Sequence, residues 1–452
     1  MKKVFLKTYG CQMNVRDSDA VAHNLLTNGY ELVDQENSAD IVLLNTCSVR
    51  EQAELKAIGK ARNLLSGTNA SKPAVGIMGC MAQNRGNQLE KEIPGLDLIV
   101  GTQKFHRIAE YLKKIDSQQK SSVASPVIDI APEINSQNAI KEHPPKKQLN
   151  VSAFVSIMQG CNMNCSFCIV PKTRGSERYR EMTDILDEIT HLRNLGVKEI
   201  TLLGQIVNAY GRGVFPRLDG KSPFVQLLEK IHKIEGIERI RFTSPHPVSF
   251  GRDLIEAFRQ LPKLGKYAHL PMQSGSNRIL KSMNRPYTIE RFMSIVRNLR
   301  EACPGIRLST DVIVGYPGES EDDFKATKNA FIEAGFEMAF IFKYSIRTGT
   351  PAESLLDQIP QEVKEYRNQI LLELLDKQSK ESNKSLLGQK VRVLVESIAK
   401  KGNGDLMGKT ECFRKVLIKG QKGLIGQILE VVIEDADTFT LRGALKNKLI
   451  IR

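Results

Sequence analysis

Short apolar runs alternate with helical patterns along the first part of the chain. The runs at residues 4–6, 41–44 and 74–78 are brief and rich in β-branched side chains, and helix-periodic stretches at 19–26 and 52–65 lie between them. Runs of this length bounded by turn residues are typical of buried strands. A chain that alternates strand and helix in this way folds into a parallel sheet covered by helices. We therefore expect an open parallel α/β sheet in residues 1–116.

A cysteine follows each of these three apolar runs. Cys11, Cys47 and Cys80 stand just past the predicted strand ends, each in a turn that contains Gly, Thr or Asn. Because the carboxyl ends of parallel strands meet at the ligand-binding edge of an open sheet, the three thiols are predicted to converge there. The alternative is three unrelated buried cysteines, since cysteine commonly packs as a small apolar residue.

Three further cysteines form a tight C-x3-C-x2-C loop at Cys161, Cys165 and Cys168. Structural zinc sites and ferredoxin clusters use four protein ligands, and no fourth cysteine lies near this loop. Three thiolates around a 4Fe–4S cluster leave one iron open, as the reductive cleavage of S-adenosylmethionine requires. A zinc site completed by a distant residue, or a chance grouping, remains the alternative.

Strand–helix alternation returns at residue 151. Strand-like runs occur at 153–158, 200–203, 240–243, 268–271, 308–314 and 338–344. Six such units predict a parallel, barrel-like sheet, a partial (βα)6 barrel over 151–383, with the cysteine loop directly after its first strand. The polar, Pro-containing stretch 117–150 has the composition of a linker.

Polar and glycine residues follow several of these strands at the edge where barrel active sites form. Gly204 and Gln205 follow the second strand, Gln273 and Ser274 follow the fourth, and Gly315 and Gly318 follow the fifth. We expect these residues to contact a cofactor. Ordinary turns would give the same pattern.

The last segment, 384–452, has the pattern of a small all-β barrel. Short strand-like runs at 391–395, 416–418, 428–433 and 439–441 are separated by glycine and charged turns. From residue 385 onward there are 13 Lys+Arg against 7 Asp+Glu, which is a large share of the chain's net charge of +14. A basic barrel of this kind predicts RNA binding, although a solvated basic surface is the alternative. Candidate RNA contacts in this segment are Arg414 and Lys415. Lys172 and Arg174, in the basic run that follows the cysteine loop, are further candidates, and a solvated loop is the alternative for that run.

The remaining features indicate a reducing compartment, with the cytoplasm as the expected location. Eight cysteines in 452 residues are too few for a disulfide scaffold. No run of ~18 apolar residues occurs, so no membrane partner is expected. Cys303 and Cys412 have no companions of their kind and are predicted to be structural.

Several motifs resemble those of the methylthiotransferases, a family of radical S-adenosylmethionine enzymes. They are Thr8-Tyr9-Gly10-Cys11-Gln12-Met13-Asn14, Asn45-Thr46-Cys47-Ser48-Val49-Arg50, Gly79-Cys80-Met81-Ala82-Gln83 and the cysteine loop from Gln159 to Pro171. The tail from residue 384 resembles the TRAM domain of the same family. The Gln-Met-Asn and Cys-Ser-Val-Arg forms favour the subgroup that acts on dimethylallyladenosine in tRNA. The chain departs from the family pattern at Ile206, at Thr348 and in Cys412-Phe413.

The resemblance implies a reaction and its partners. The cluster of the loop cysteines would bind and reduce S-adenosylmethionine, and the resulting 5′-deoxyadenosyl radical would remove hydrogen from carbon 2 of the modified adenosine beside the anticodon. The second 4Fe–4S cluster, at Cys11, Cys47 and Cys80, would present the inserted sulfur, and a second S-adenosylmethionine would methylate it. The partners would be tRNA and an electron donor.

Other functions fit part of the pattern. Related methylthiotransferases act on threonylcarbamoyl-adenosine in tRNA or on an aspartate of a ribosomal protein, although their first signature usually differs. A non-catalytic iron–sulfur RNA-binding protein or electron carrier belongs to a different class, but an electron carrier would have closed clusters with four cysteines each.

Overall fold

The computed structural model describes residues 1–49, 51–66, 72–118, 125–133, 135–139, 143, 151–400 and 404–445. Arg50 of the second cysteine signature and most of the predicted linker lie outside the described residues. The described chain forms three units in the predicted order: an α/β sheet, a βα barrel-like core and a small β-barrel.

The N-terminal unit is a six-stranded, all-parallel sheet with the order β2-β1-β3-β4-β5-β6. Apolar side chains of α1 and α5 pack on one face of this sheet, and those of α2, α3 and α4 pack on the other. Its elements are β1 (Lys3–Thr8), α1 (Gln12–Thr27), β2 (Glu31–Leu32), β3 (Ile41–Thr46), α2 (Glu51–Ser66), β4 (Ala74–Gly79), α3 (Cys80–Arg85), α4 (Asn87–Glu92), β5 (Leu98–Val100), α5 (Ile108–Gln118) and β6 (Val127–Asp129).

The sheet continues into the stretch that the sequence predicts as a linker, 117–150. Strand β6 pairs in parallel with β5, and Leu98 lies opposite Val127. The apolar part of β6 is two residues long, which is too short to stand out from a polar stretch as a strand pattern. It forms a strand here because β5 offers an unpaired edge. The described part of 117–150 is therefore partly a structural element of the N-terminal unit.

The central unit contains the six predicted parallel strands in chain order. They form two three-stranded sheets, β7-β10-β11 and β12-β13-β14, and a parallel bridge between Ile240 and Leu264 links them. The elements are β7 (Ser152–Ser156), β8 (Met158–Gln159), α6 (Val170–Arg174), β9 (Arg178–Tyr179), α7 (Met182–Asn194), β10 (Glu199–Leu203), α8 (Pro223–His232), β11 (Arg239–Phe242), α9 (Arg252–Gln260), β12 (Tyr267–His269), α10 (Asn277–Ser282), α11 (Ile289–Ala302), β13 (Arg307–Val314), α12 (Glu321–Ala334), β14 (Met338–Lys343) and α13 (Gln361–Lys384).

The C-terminal unit is a closed barrel with the strand order β15-β16-β17-β19-β18. Its strands are β15 (Lys390–Ile398), β16 (Leu406–Thr410), β17 (Lys415–Ile418), β18 (Ile428–Ala436) and β19 (Leu441–Leu445). The turn between β16 and β17 packs against the amino ends of the core strands: Phe413 lies on Tyr267 with ring centroids 5.0 Å apart, and Arg241 donates to the Thr410 carbonyl at 2.8 Å. The barrel therefore lies at the opposite end of the core strands from the cysteine loop.

The N-terminal unit packs at the carboxyl end of the core strands. Just past β14, Arg347 donates to the Val49 carbonyl at 3.1 Å and Ser345 donates to Glu51 at 3.0 Å. Both N-terminal partners follow Cys47 within a few positions of the chain, so the cysteine edge of the sheet is close to the core. Within the described ranges, every helix is too short or too polar to cross a bilayer.

Candidate functional site

A two-stranded hairpin holds the cysteine loop of the core. Strands β8 and β9 pair at Met158 and Tyr179, on either side of the segment that carries the three cysteines. Gly160 begins this segment with a φ of +81°, and a Cβ there would lie 1.9 Å from the Ser176 carbonyl oxygen. Only glycine permits this close crossing, since a side chain would be both strained and in collision.

The three thiols of this loop are close enough to interact electrostatically. Burial raises the pKa of Cys161 to about 11 and the pKa of Cys168 to about 12, and each of them also interacts with Cys165. Arg285 donates from Nη1 to the Cys165 sulfur at 3.3 Å. Buried thiols with raised pKa values keep their protons unless a metal takes the place of the proton, so this donor set suits a metal cluster.

The N-terminal cysteines follow three strands that are neighbours in the sheet. Cys11 follows β1, Cys47 follows β3, and Cys80 is the first residue of α3 after β4. A hydrogen bond from Cys47 lowers the pKa of Cys11 to about 6 and raises that of Cys47, while burial raises the pKa of Cys80. The fold thus brings together three thiols that the sequence separates by one βα repeat each.

A buried pair of asparagines joins two of these cysteine turns. Asn14 donates from Nδ2 to Asn45 Oδ1 and to the Thr46 carbonyl, both at 3.0 Å, and Asn45 donates to the Asn14 carbonyl at 2.8 Å. The Cys11 sulfur lies 3.2 Å from Asn14 Oδ1. The asparagines of the first two signatures therefore fix the relative positions of Cys11 and Cys47, a supporting role that the sequence analysis missed.

Neither site is arranged around a single metal ion. In the part of the chain that the structure describes, no group of three His, Cys, Asp or Glu side chains could hold one ion. A four-iron cluster is wider than one ion, and its ligands stand correspondingly further apart. The assignment of a cluster to the loop cysteines stays a prediction.

The predicted cofactor residues fall into two groups. Gln205 and Gln273 each carry a buried Oε1 that has no hydrogen-bond partner among the described residues. Two such oxygens at the carboxyl end of the core strands fit a polar cofactor that would supply donors. Among the cofactor residues predicted from sequence, these two are the ones with a buried side-chain oxygen that lacks a partner in the described chain.

The other predicted cofactor residues are already engaged within the protein. Ser274 bonds to Thr327 at 3.2 Å, and a Cβ on Gly204 would lie 2.6 Å from Met158. The N–H groups of Gly315 and Gly318 donate to Glu319 and to the Asp357 carbonyl, at 2.7 and 2.8 Å. These positions support the loops around the site, and their contact with a cofactor stays a prediction.

Two of the four predicted RNA contacts are buried. Arg174 is 3% exposed and pairs with Asp17 at 2.6 Å, and Arg414 is held by Asn383 and Glu337 at the base of the β-barrel. Both expectations are corrected, because neither guanidinium reaches the surface. Lys172 and Lys415 are exposed and stay as predicted RNA contacts. Charge in the sequence could not separate paired, buried arginines from free lysines.

A buried carboxylate fastens the N-terminal unit to the core. Glu188 of α7 accepts from Arg180 at 2.6 Å, from Arg16 of α1 at 3.3 Å and from His143 at 2.6 Å. The His143 carbonyl in turn lies 3.1 Å from His23 Nδ1. His143 lies in the predicted linker, so this part of the linker is anchored to both units.

Comparison with known families and structures agrees with the three units. Residues 3–101 match the uncharacterized protein family UPF0004, residues 155–331 match the radical SAM superfamily, and residues 384–446 match the TRAM domain. A solved structure of the radical S-adenosylmethionine methyltransferase TsrM from Kitasatospora setae, with cobalamin and a [4Fe-4S] cluster bound, is similar with a TM-score of 0.56 at 14% identity. The similarity covers 78% of this chain and 77% of that one, and it concerns the fold alone.

Two curated relatives have the same name and match almost from end to end. The tRNA-2-methylthio-N(6)-dimethylallyladenosine synthase of Opitutus terrae is 50% identical, with 98% of each chain covered, and that of Akkermansia muciniphila is 47% identical, also with 98% of each chain covered. These matches confirm the resemblance inferred from the cysteine motifs. The chain therefore belongs to the tRNA-2-methylthio-N(6)-dimethylallyladenosine synthase family of radical S-adenosylmethionine enzymes.

Proposed function

We propose that this chain methylthiolates carbon 2 of N(6)-dimethylallyladenosine beside the anticodon of tRNA, giving 2-methylthio-N(6)-dimethylallyladenosine. The observation that carries the proposal is the pairing of two three-cysteine groups across one interface. The helix that follows the loop cysteines, α6, packs on α3, the helix that begins at Cys80. Among the described residues neither group has a fourth cysteine, whereas clusters that only carry electrons are closed by four.

We assign one cluster to each group. Cys161, Cys165 and Cys168 would hold the 4Fe–4S cluster that binds S-adenosylmethionine, and the N-terminal cysteines would hold the second 4Fe–4S cluster. When bound, the first cluster together with S-adenosylmethionine would supply a carbon radical, and the second cluster would present the sulfur that is inserted. The chain itself provides the thiolates, the polar contacts of Gln205 and Gln273, and an apolar wall in which Ile206 packs with Cys161.

The interface between the two sites supports a shared reaction space. Thr102 of the N-terminal unit donates to the Thr173 carbonyl of α6 at 2.7 Å, and both side chains are buried. Walls closed by such contacts exclude water, which protects a reactive carbon radical from side reactions. The target carbon would have to lie within reach of both cysteine groups, and this is where the two units meet.

The inner face of the core sheet offers an apolar surface for the substrate base. Val312 and Ile341 pack with the helix-side core, so alternation along the strands turns Asp311 and its register partner Phe340 to the opposite, inner face. Phe340 is 41% exposed and is stacked with Phe342 at 6.4 Å. We assign the dimethylallyl group to these rings. Asp311, held by His269 at 3.2 Å, would accept a hydrogen bond from the N6–H of the base.

Replacing Phe340 tests this assignment. Because burying an aliphatic group of the size of dimethylallyl contributes about 1.5–3 kcal/mol, Phe340→Ala should weaken binding of tRNA that carries dimethylallyladenosine by up to that amount. Binding of the same tRNA without the dimethylallyl group should change little, and fluorescence-anisotropy titrations of both tRNAs measure the difference. An equal loss for the two tRNAs would contradict a contact with the dimethylallyl group.

Three further assignments follow from the chemistry. tRNA would contact the exposed Lys172 and Lys415, which lie on the core and on the β-barrel. Reductive cleavage needs an electron from outside the chain, so an external reductant is a required partner. Thiolates that hold clusters need a reducing compartment, which supports the cytoplasm as the location.

Mass spectrometry of tRNA nucleosides tests the proposed reaction. Cells that lack the gene should accumulate dimethylallyladenosine and lose its 2-methylthio derivative, and the intact gene should restore it. A matched control is the gene with Cys11, Cys47 and Cys80 replaced by alanine, which should fail to restore the product. If these cells instead lost methylthiolated threonylcarbamoyl-adenosine, the substrate would be threonylcarbamoyl-adenosine and the proposed substrate would be wrong.

A further inference from the structure

Arg174 is the last residue of α6, six positions after Cys168 in the chain. The helix carries it away from the loop cysteines and across the interface into the N-terminal unit. Its side chain is 3% exposed, and its Nη2 donates to Asp17 of α1 at 2.6 Å. A residue of the core therefore lies inside the N-terminal unit, beside the cysteine edge of its sheet.

The helix that carries Arg174, α6, packs on α3, the helix that begins at Cys80. Arg174 acts electrostatically on the pKa of both Cys80 and Cys11, which places its charge near the two thiols. The Nη1 group is buried and has no hydrogen-bond partner among the described residues. An unpaired buried N–H group is costly, but a thiolate of Cys80 would satisfy it.

A purely structural ion pair between Arg174 and Asp17 does not account for the polar atoms that both residues leave without a partner. Asp17 is fully buried and accepts from Arg174 through Oδ2 only, while its Oδ1 has no partner in the described chain. An ion pair that only joined the two units would be expected to be bidentate, with both Nη groups of the guanidinium bonded to both carboxylate oxygens. Here each partner keeps one buried polar group without a hydrogen-bond partner in the described chain, and the charge of the guanidinium lies near the thiols.

We infer that Arg174 is a positioning residue of the N-terminal cysteine site, which donates to the Cys80 thiolate and places a positive charge beside the cluster held there. The inference rests on the cluster assignment made in the proposed function. Hydrogen bonds to sulfur and nearby charge are among the factors that set the reduction potential of such clusters. Because reduction adds negative charge, the guanidinium favours the reduced cluster and raises its potential. Asp17 opposes this effect by neutralising part of the charge.

The test is an EPR-monitored redox titration of the full-length, reconstituted protein. Cys161, Cys165 and Cys168 are replaced by alanine in every sample, so that the signal comes from the N-terminal cluster alone. Arg174→Gln should shift the midpoint potential to a more negative value, and Asp17→Asn should shift it to a more positive value. Arg174→Lys keeps the charge and should lie between Arg174→Gln and the parent.

A matched control comes from the same unit. Arg85 ends the helix that Cys80 begins and pairs with Glu54 and Glu92, away from the thiols. Arg85→Gln should leave the potential unchanged. Shifts of opposite sign for Arg174→Gln and Asp17→Asn cannot come from general loosening of the interface, which would move both variants in one direction.

The possible failures are distinguishable. An unchanged potential in Arg174→Gln, or shifts of the same sign in Arg174→Gln and Asp17→Asn, would overturn the inference and leave the cluster assignment intact. If Arg174→Gln bound no iron, the potentials of Asp17→Asn and Arg174→Lys would decide instead. A positive shift in Asp17→Asn and a negative shift in Arg174→Lys would support the inference, and any other result would overturn it. Absence of an N-terminal cluster from the parent protein would overturn the cluster assignment, and the inference with it.

Discussion

Cys161, Cys165 and Cys168 lie in one loop that a short hairpin closes, whereas Cys11, Cys47 and Cys80 are brought together by three neighbouring strands. The loop site depends on local geometry, such as the crossing at Gly160. The sheet site depends on strand order, on register and on the Asn14–Asn45 contacts that join its turns. Damage to tertiary structure should therefore empty the sheet site before the loop site.

Exchanging each cysteine group for alanine gives the largest expected effect. The loop triple variant should lose cleavage of S-adenosylmethionine altogether. The variant with Cys11, Cys47 and Cys80 replaced should still release 5′-deoxyadenosine but form no methylthio product. Chromatography of both products measures this, with Cys303→Ala as the control because Cys303 packs in the apolar core. Methylthio product from the N-terminal triple variant would contradict the assignment of sulfur insertion to the sheet site.

Removing the asparagine link should affect the sheet site alone. Asn45→Ala deletes the bonds to Asn14 and Ser18 and leaves buried polar groups unpaired, at a cost of about 1–3 kcal/mol. We expect iron bound per protein to fall toward half, and Mössbauer spectra to retain the loop cluster. Asn162→Ala, within the cysteine loop but on its exposed side, is the control and should keep both clusters. Equal loss of both clusters in Asn45→Ala would contradict the separate assembly of the two sites.

Glu188 tests how strongly docking of the N-terminal unit on the core stabilises the chain. Glu188→Gln removes the charge that Arg16, Arg180 and His143 share, and breaking a buried pair of this kind costs about 3–5 kcal/mol. Urea unfolding of the metal-free chain should show the loss. The exposed Glu301→Gln is the control and should change the free energy of unfolding little.

The stability difference between the parent protein and Glu188→Gln should depend on pH. Burial favours the protonated acid, but the His143 hydrogen bond and the two guanidinium groups outweigh it and hold the pKa of Glu188 below its ordinary value. The stabilisation is therefore complete above the unfolded pKa of about 4.3 and is lost as pH falls through the lower folded value. The difference between parent and Glu188→Gln should shrink only under acid conditions. A difference independent of pH would contradict a role for the charge.

The two regions also differ in what could be predicted from sequence. The loop cysteines could be recognised from their spacing alone, and the N-terminal cysteines from their positions at strand ends. The strand order β1-β3-β4 makes the three cysteine-bearing turns neighbours, while their role as cluster ligands stays a prediction. The roles of Arg174 and Arg414 could not be predicted, because burial and pairing with Asp17 or Glu337 depend on distant parts of the chain. Strand β6 could not be predicted from sequence for the same reason, because it forms only by pairing with β5, a contact of the tertiary structure.

The smallest expected effect separates two adjacent basic residues of the β-barrel. Lys415 is exposed and Arg414 is buried, so only Lys415 is free to meet phosphate. Lys415→Ala should weaken tRNA binding modestly and reduce the slope of log K against log salt by about one, because one fewer counterion is released. Arg414→Ala should instead lower the stability of the barrel's docking and leave the slope of the folded protein unchanged. Filter-binding assays across a salt series give both slopes, and an unchanged slope in Lys415→Ala would mean that this side of the barrel does not contact RNA.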